Sequence, residues 1–149
     1  MSPAEADRAA SDEVGELLVI DLLGGIGDLV MLLPSIHALA RSHPHATVRV
    51  LTHEPGSVLL AADPAVAEVR TARKGHERAA VVAELERRRY DLVVSTTRYD
   101  DIPAEIERRA PRRVTDLWRR PPPDELVSRR YLRILAEAGL VDVGYTPPR

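Results

Sequence analysis

The sequence predicts an α/β domain, a Rossmann-like parallel sheet flanked by helices, on three observations. Two short runs, ELLVIDLL (16–23) and DLVVST (91–96), are almost continuously apolar, the pattern of strands buried on both faces. The stretches between such runs carry apolar residues at helical spacing. Strands and helices therefore alternate, which implies parallel pairing with right-handed crossovers. A glycine corner, GGIG (24–27), follows the first run and turns the chain straight into a helical pattern. A length of 149 residues suits one domain with a real core.

The elements follow in order. After the first strand, Leu29, Leu32, Leu33, Ile36, Leu39 and Ala40 recur at helical spacing over 28–42. Pro34 falls inside this pattern, where it should kink the helix or mark a late start. HPHA ends it, and TVRVLTH (47–53) alternates like a strand. PGSVLLAADPA reads as a short helix and VAEVRT (66–71) as a third strand. HERAAVVAELERRRY is amphipathic, and the fourth strand, 91–96, follows it. IPAEIERRA reads as a short helix and RRVTDLW as a fifth strand. The last helix, PDELVSRRYLRILAEAGL, is capped by Asp124 and stopped near Gly139, with Pro121 to Pro123 marking the loop before it.

Composition narrows the chemistry. There is no cysteine, which excludes disulfides, thiolate metal sites and a cysteine nucleophile. Histidines 37, 43, 45, 53 and 76 form no metal-binding pair on one helical turn, so no metal is expected. The apolar stretch 17–40 contains Asp21, Asp28, Pro34 and His37, which argues against a membrane span. Residues 1–14 are small and acidic, without the basic start of a signal peptide; they read as a disordered tail on a cytoplasmic chain. Residues 1–69 hold three Arg against ten acids, while 70–133 hold 17 Lys or Arg against 11. A basic second half suits an anionic substrate or peripheral contact with the inner face of a membrane. Solvated arginine faces such as ELERRRY, and a bias to Arg over Lys from nucleotide composition, are the plainer account.

Ligands of parallel α/β sheets bind beyond the carboxyl ends of the strands. That places residues 24–28, 52–54, 71–75 and 95–101 along one rim. Three readings of the corner compete. As a dinucleotide fingerprint it supplies Gly25 and Gly27, but Val30 stands at the third glycine position, and Glu54 lies only near the place of the ribose-binding acid. As an S-adenosylmethionine-dependent methyltransferase loop it offers Asp21 beside the glycines and YDLVVS as a fourth strand, with the register off by one residue.

The third reading covers residues 16–140. LLVIDLLGGIGDLVMLLPSIHALARSHPHATVRVLT, then LLAADPAVAEV, ELERRRYDLVVS and RRYLRILAEAGL, resemble in order and spacing the N-terminal half of glycosyltransferase family 9, the ADP-heptose lipopolysaccharide heptosyltransferases. The resemblance implies one half of a GT-B architecture: two Rossmann-like domains across a cleft, inverting, metal-independent and without a cofactor. The N-terminal half would hold a glycan or glycolipid acceptor, and the other half most of a nucleotide-sugar donor of the ADP-heptose type. Asp28 matches the family's proposed general base. Gly24, Gly25 and Gly27 would let backbone and substrate approach closely. The residue itself has a simpler account, since an acid in a first helical turn complements the helix dipole.

Arg73, Lys74 and Arg98 fall at strand ends on the rim, where they suit phosphate or carboxylate groups of an anionic acceptor. Plain surface placement explains each of them too. His53 suits polar lining or an ordinary loop, and Trp118 suits packing of the last helix or stacking on an acceptor sugar. Residues 15–143 read as the acceptor-side domain and 144–149 as the start of an interdomain linker, with the second domain absent, so that the isolated chain is expected to be inactive without a donor-binding half. No nucleic acid is expected as a partner. A non-catalytic interaction domain is the remaining alternative.

Overall fold

The computed structural model describes residues 13–23, 25–117 and 126–141. Five strands form one all-parallel sheet in the order β3-β2-β1-β4-β5. They are β1 (Glu16–Asp21), β2 (Thr47–Thr52), β3 (Glu68–Thr71), β4 (Leu92–Ser95) and β5 (Arg112–Val114). The connecting helices are α1 (Ile26–Ser42), α2 (Gly56–Ala61), α3 (Glu77–Arg87) and α4 (Ile102–Arg109), and α5 (Val127–Glu137) follows β5.

The unbroken apolar character of β1 has a direct cause. Leu17 and Val19 face one apolar layer, built with α1, α5 and Leu60 of α2. Leu18 and Ile20 face a second layer, built with Val81 and Leu85 of α3 and Ile102 and Ile106 of α4. Alternation along β1 therefore feeds two cores, and no position is left for a polar residue between Glu16 and Asp21. Each such side chain taken fully out of water stabilises the fold by about 1.5–3 kcal/mol. The start of β1 is fixed by Asp91, whose Oδ2 accepts from the N–H groups of Gly15 at 2.9 Å and Glu16 at 2.8 Å.

Several boundaries differ from the sequence expectation. β1 ends at Asp21, and Leu22–Leu23 belong to the turn. α1 begins at Ile26, with Gly25 as its N-cap, and runs through Pro34 to Ser42 without a late start. A proline there removes one intrahelical N–H donor, and burial of Leu32, Ile36 and Leu39 on the same helix offsets the loss. β5 is shorter than expected, three residues against seven. Gly139 ends α5 with φ +75°, while Leu140 N–H returns to Leu135 O at 2.9 Å. α5 begins at Val127 with Leu126, not Asp124, as its N-cap, and no side chain caps it. The expectations for most of the 1–14 tail, for Gly24 and Trp118, for Pro121 to Pro123 and for 144–149 fall outside the described residues. Among the described residues, no helix is long and apolar enough to cross a membrane.

Candidate functional site

Strand order reverses between β1 and β4, so the crevice beyond their carboxyl ends is the topological switch point. The tails of these two strands are stitched together there. Thr96 N–H donates to Ile20 O at 3.1 Å, Leu22 N–H to Thr97 Oγ1 at 3.0 Å, and the Tyr99 hydroxyl to Leu22 O at 2.5 Å. The apolar strand β4 thus runs into Ser95, Thr96 and Thr97, all buried, whose hydroxyls take up polar groups where the β1 backbone turns away.

Asp28 stands above this seam in the first turn of α1, and its side chain is exposed. Gly25 makes room for it: a Cβ at Gly25 would lie 3.2 Å from Asp28 Oδ2. A Cβ at Gly27 would meet nothing within 4 Å, so packing does not demand that glycine. Its backbone is open to approach from outside. Leu23, Ile26, Val30 and Met31, each roughly half exposed, surround the corner with apolar surface.

Of the expected site residues, the structure brings Gly25, Gly27 and Asp28 together. Arg98 is exposed just beyond Thr97, on the neighbouring strand's exit. Arg73 and Lys74 are exposed after β3, the edge strand two places from β1, about 10 Å across the sheet. They share the rim but not the corner. Glu54 is exposed in a turn containing the cis Glu54–Pro55 bond.

Beneath the corner lies a buried polar group that the sequence reading left largely aside. Asp21, 3% exposed, accepts at Oδ1 from the Thr96 hydroxyl at 2.7 Å. Burial raises its pKa; the Thr96 hydrogen bond opposes that, and the nearby charge of Asp28 adds to it. His53, 6% exposed at the end of β2, is no ordinary loop histidine: its Nε2 lies 2.9 Å from Glu77 Oε2. Glu77 opens α3 and accepts from Gly75 N–H at 2.9 and 3.1 Å. Burial works against its charge, but its own backbone N–H, His53 and Gly75 together lower its pKa. Tyr99 is pushed up to about 12, first by burial and then by the fields of Glu77, Asp100 and Asp21. Asp21, His53, Glu77 and Tyr99 therefore form one electrostatically coupled cluster.

A signal for part of this was present, in the lone acid of the β1 run and in Ser-Thr-Thr directly after β4. Glu77 had none, since it opens a helix whose pattern reads as solvated. Among the described residues, no three His, Asp or Glu side chains converge as metal ligands.

No protein-family model matches this sequence, and no curated protein matches it. Solved structures do. The glycosyl transferase family 9 structure from Veillonella parvula superposes with a TM-score of 0.70 at 16% identity, covering 86% of this chain and 42% of that one. E. coli heptosyltransferase WaaC with ADP gives 0.58 at 16% identity, over 90% of this chain and 48% of that one. E. coli ADP-heptose LPS heptosyltransferase II gives 0.52 at 24% identity, over 66% and 29%. The chain spans less than half the length of each of these three neighbours. At such identities the likeness is one of fold, and the shared fold is the Rossmann-like half of these glycosyltransferases.

Proposed function

We propose that residues 15–143 are the acceptor-binding, general-base half of an inverting, metal-independent glycosyltransferase. The transferred group is a heptose-like sugar carried on a nucleotide diphosphate of the ADP-heptose type, and the acceptor is a glycan or glycolipid. One observation carries the reading: an exposed carboxylate, Asp28, stands on the first turn of α1 at the switch-point crevice, in a fold shared with heptosyltransferases.

The chemistry follows from that placement. The acceptor hydroxyl oxygen forms a bond to the anomeric carbon while the bond from that carbon to the diphosphate oxygen breaks. The hydroxyl proton passes to Asp28, and the diphosphate leaves with the bonding pair. A positioned base contributes roughly 10²–10⁴-fold to such a step. Gly24, Gly25 and Gly27 let the sugar and the helix backbone approach, and the N–H groups of the α1 terminus favour nearby negative charge. Arg73, Lys74 and Arg98, spread along the rim, receive anionic groups of the acceptor. Stabilisation of the leaving diphosphate is assigned to a second, donor-binding domain. Work at the inner face of a membrane, by peripheral contact, suits a glycolipid acceptor.

The test is to supply that second half. The chain is combined, fused or in trans, with the part of E. coli WaaC that it does not cover, and ADP release from ADP-heptose is followed with a lipopolysaccharide-core acceptor. Acceptor-dependent release supports the reading. Micromolar binding of S-adenosylmethionine by the chain alone would replace it with a methyltransferase. A stable complex that forms without transfer and ignores Asp28 would point to an interaction domain.

A further inference from the structure

The floor of the crevice holds one polar atom that the fold does not satisfy. His53 Nδ1 is buried, and among the described residues no hydrogen-bond partner reaches it. Leaving such a group unpaired costs about 1–3 kcal/mol, and burying Asp21 and Glu77 beside it adds desolvation. Apolar residues would stabilise this end of the sheet better. The arrangement therefore suits a ligand more than it suits the fold.

The chemistry of that ligand follows from the proton inventory. Glu77, held by Gly75 N–H and by its place in the first turn of α3, is a carboxylate that can only accept. It takes the Nε2–H of His53, so in the uncharged form of the ring Nδ1 is the free acceptor. A lone pair selects a group with a proton to give. The surroundings also repel anions: Asp21 from β1, Asp28 from α1 and Glu77 from α3 converge here, and Asp100 adds to the field at Tyr99. The cationic side chains Arg73, Lys74 and Arg98 stand on the outer rim.

We propose that His53 is a ligand-binding residue of this crevice, whose Nδ1 accepts a hydrogen bond from an uncharged sugar hydroxyl while any anionic group of the same molecule stays outside at the basic rim. This deepens the transferase reading and rests on it for the sugar. His53 lies below the surface beside the 53–56 turn, and the amides of that turn would report the entry.

The test is 15N NMR of the histidine ring in the whole chain, titrated with methyl α-mannopyranoside and separately with inorganic phosphate. The glycoside should move the Nδ1 resonance of His53 upfield, saturably, and phosphate should leave it in place. His53→Gln keeps an amide near Glu77 but has nothing at Nδ1, so glycoside affinity should fall about tenfold, the size of one hydrogen bond. His53→Asn, which places an amide near the Nδ1 position, should recover part of it. Equal glycoside affinity in His53→Gln, a response of Nδ1 to phosphate, or no response up to the solubility limit of the glycoside would each overturn the inference. Transfer restored by a donor half but indifferent to His53→Gln would sink this inference alone and leave Asp28 and the transferase reading standing.

Discussion

Replacing Thr96 by Val tests the buried seam between β1 and β4. The two side chains have nearly the same shape, and Thr96 is 2% exposed, so packing changes little. What is lost is the 2.7 Å hydrogen bond to Asp21 Oδ1. With Asp21 ionised, that bond contributes about 1.5–3 kcal/mol; with Asp21 protonated, about 0.5–1.5 kcal/mol. Asp21's ordinary value is 3.8, and burial raises it in the folded chain. Its contribution to stability is therefore complete below that value and is lost as pH rises through the folded value. Without the Thr96 hydroxyl the folded value climbs further, and the loss on raising pH grows. Urea unfolding followed by circular dichroism should place the midpoint of Thr96→Val on the order of 1 M lower at pH 8, with a smaller gap at pH 4. A gap that is the same at both pH values, or absent at pH 8, would refute the account of Asp21 as a buried, hydroxyl-supported carboxyl.

Other outcomes follow from neighbouring contacts. Gly56→Ala places a Cβ 2.8 Å from Leu29 Cδ2, at the first residue of α2, and should destabilise by about 1–3 kcal/mol in the same urea assay. Glu77→Gln should lower stability at neutral pH by about 1–3 kcal/mol, because a neutral amide oxygen accepts more weakly from His53 and Gly75 than the carboxylate does and offers one acceptor oxygen in place of two. Glu77's folded value lies below its ordinary 4.5, so its stabilisation is present above that value and lost as pH falls through the folded one. The Gln variant should accordingly show a flatter acid limb in thermal melts. Asp28→Ala removes an exposed first-turn acid and should change stability by less than about 1 kcal/mol, which calorimetry can confirm.

The sheet was legible because its signals are local. Leu17 to Ile20 had to be a doubly buried strand, Gly139 had to end a helix, and the alternation of elements allowed little but a parallel sheet. Asp28 was legible for the same reason, as an acid next to a glycine turn. The start of α1 was not: Gly25 makes no side-chain cap bond, so nothing in the residue types separates Ile26 from Asp28 as the first turn. The His53–Glu77 pair was hidden by distance, 24 residues apart and joined only when β2 and α3 are brought to one rim. Asp21 and Thr96 are 75 residues apart and meet through the pairing of β1 with β4. Long-range polar pairs leave no periodicity behind, whereas buried apolar faces do.

Comparison of the wild-type chain with Asp28→Asn, each combined with the same donor-binding half, tests the central claim most directly. Asn keeps the shape of the side chain and removes the proton-accepting charge. The rate of acceptor-dependent ADP release should fall roughly 10²–10⁴-fold while acceptor binding changes little. Transfer that proceeds at the wild-type rate in Asp28→Asn would contradict the assignment of this corner as the catalytic base.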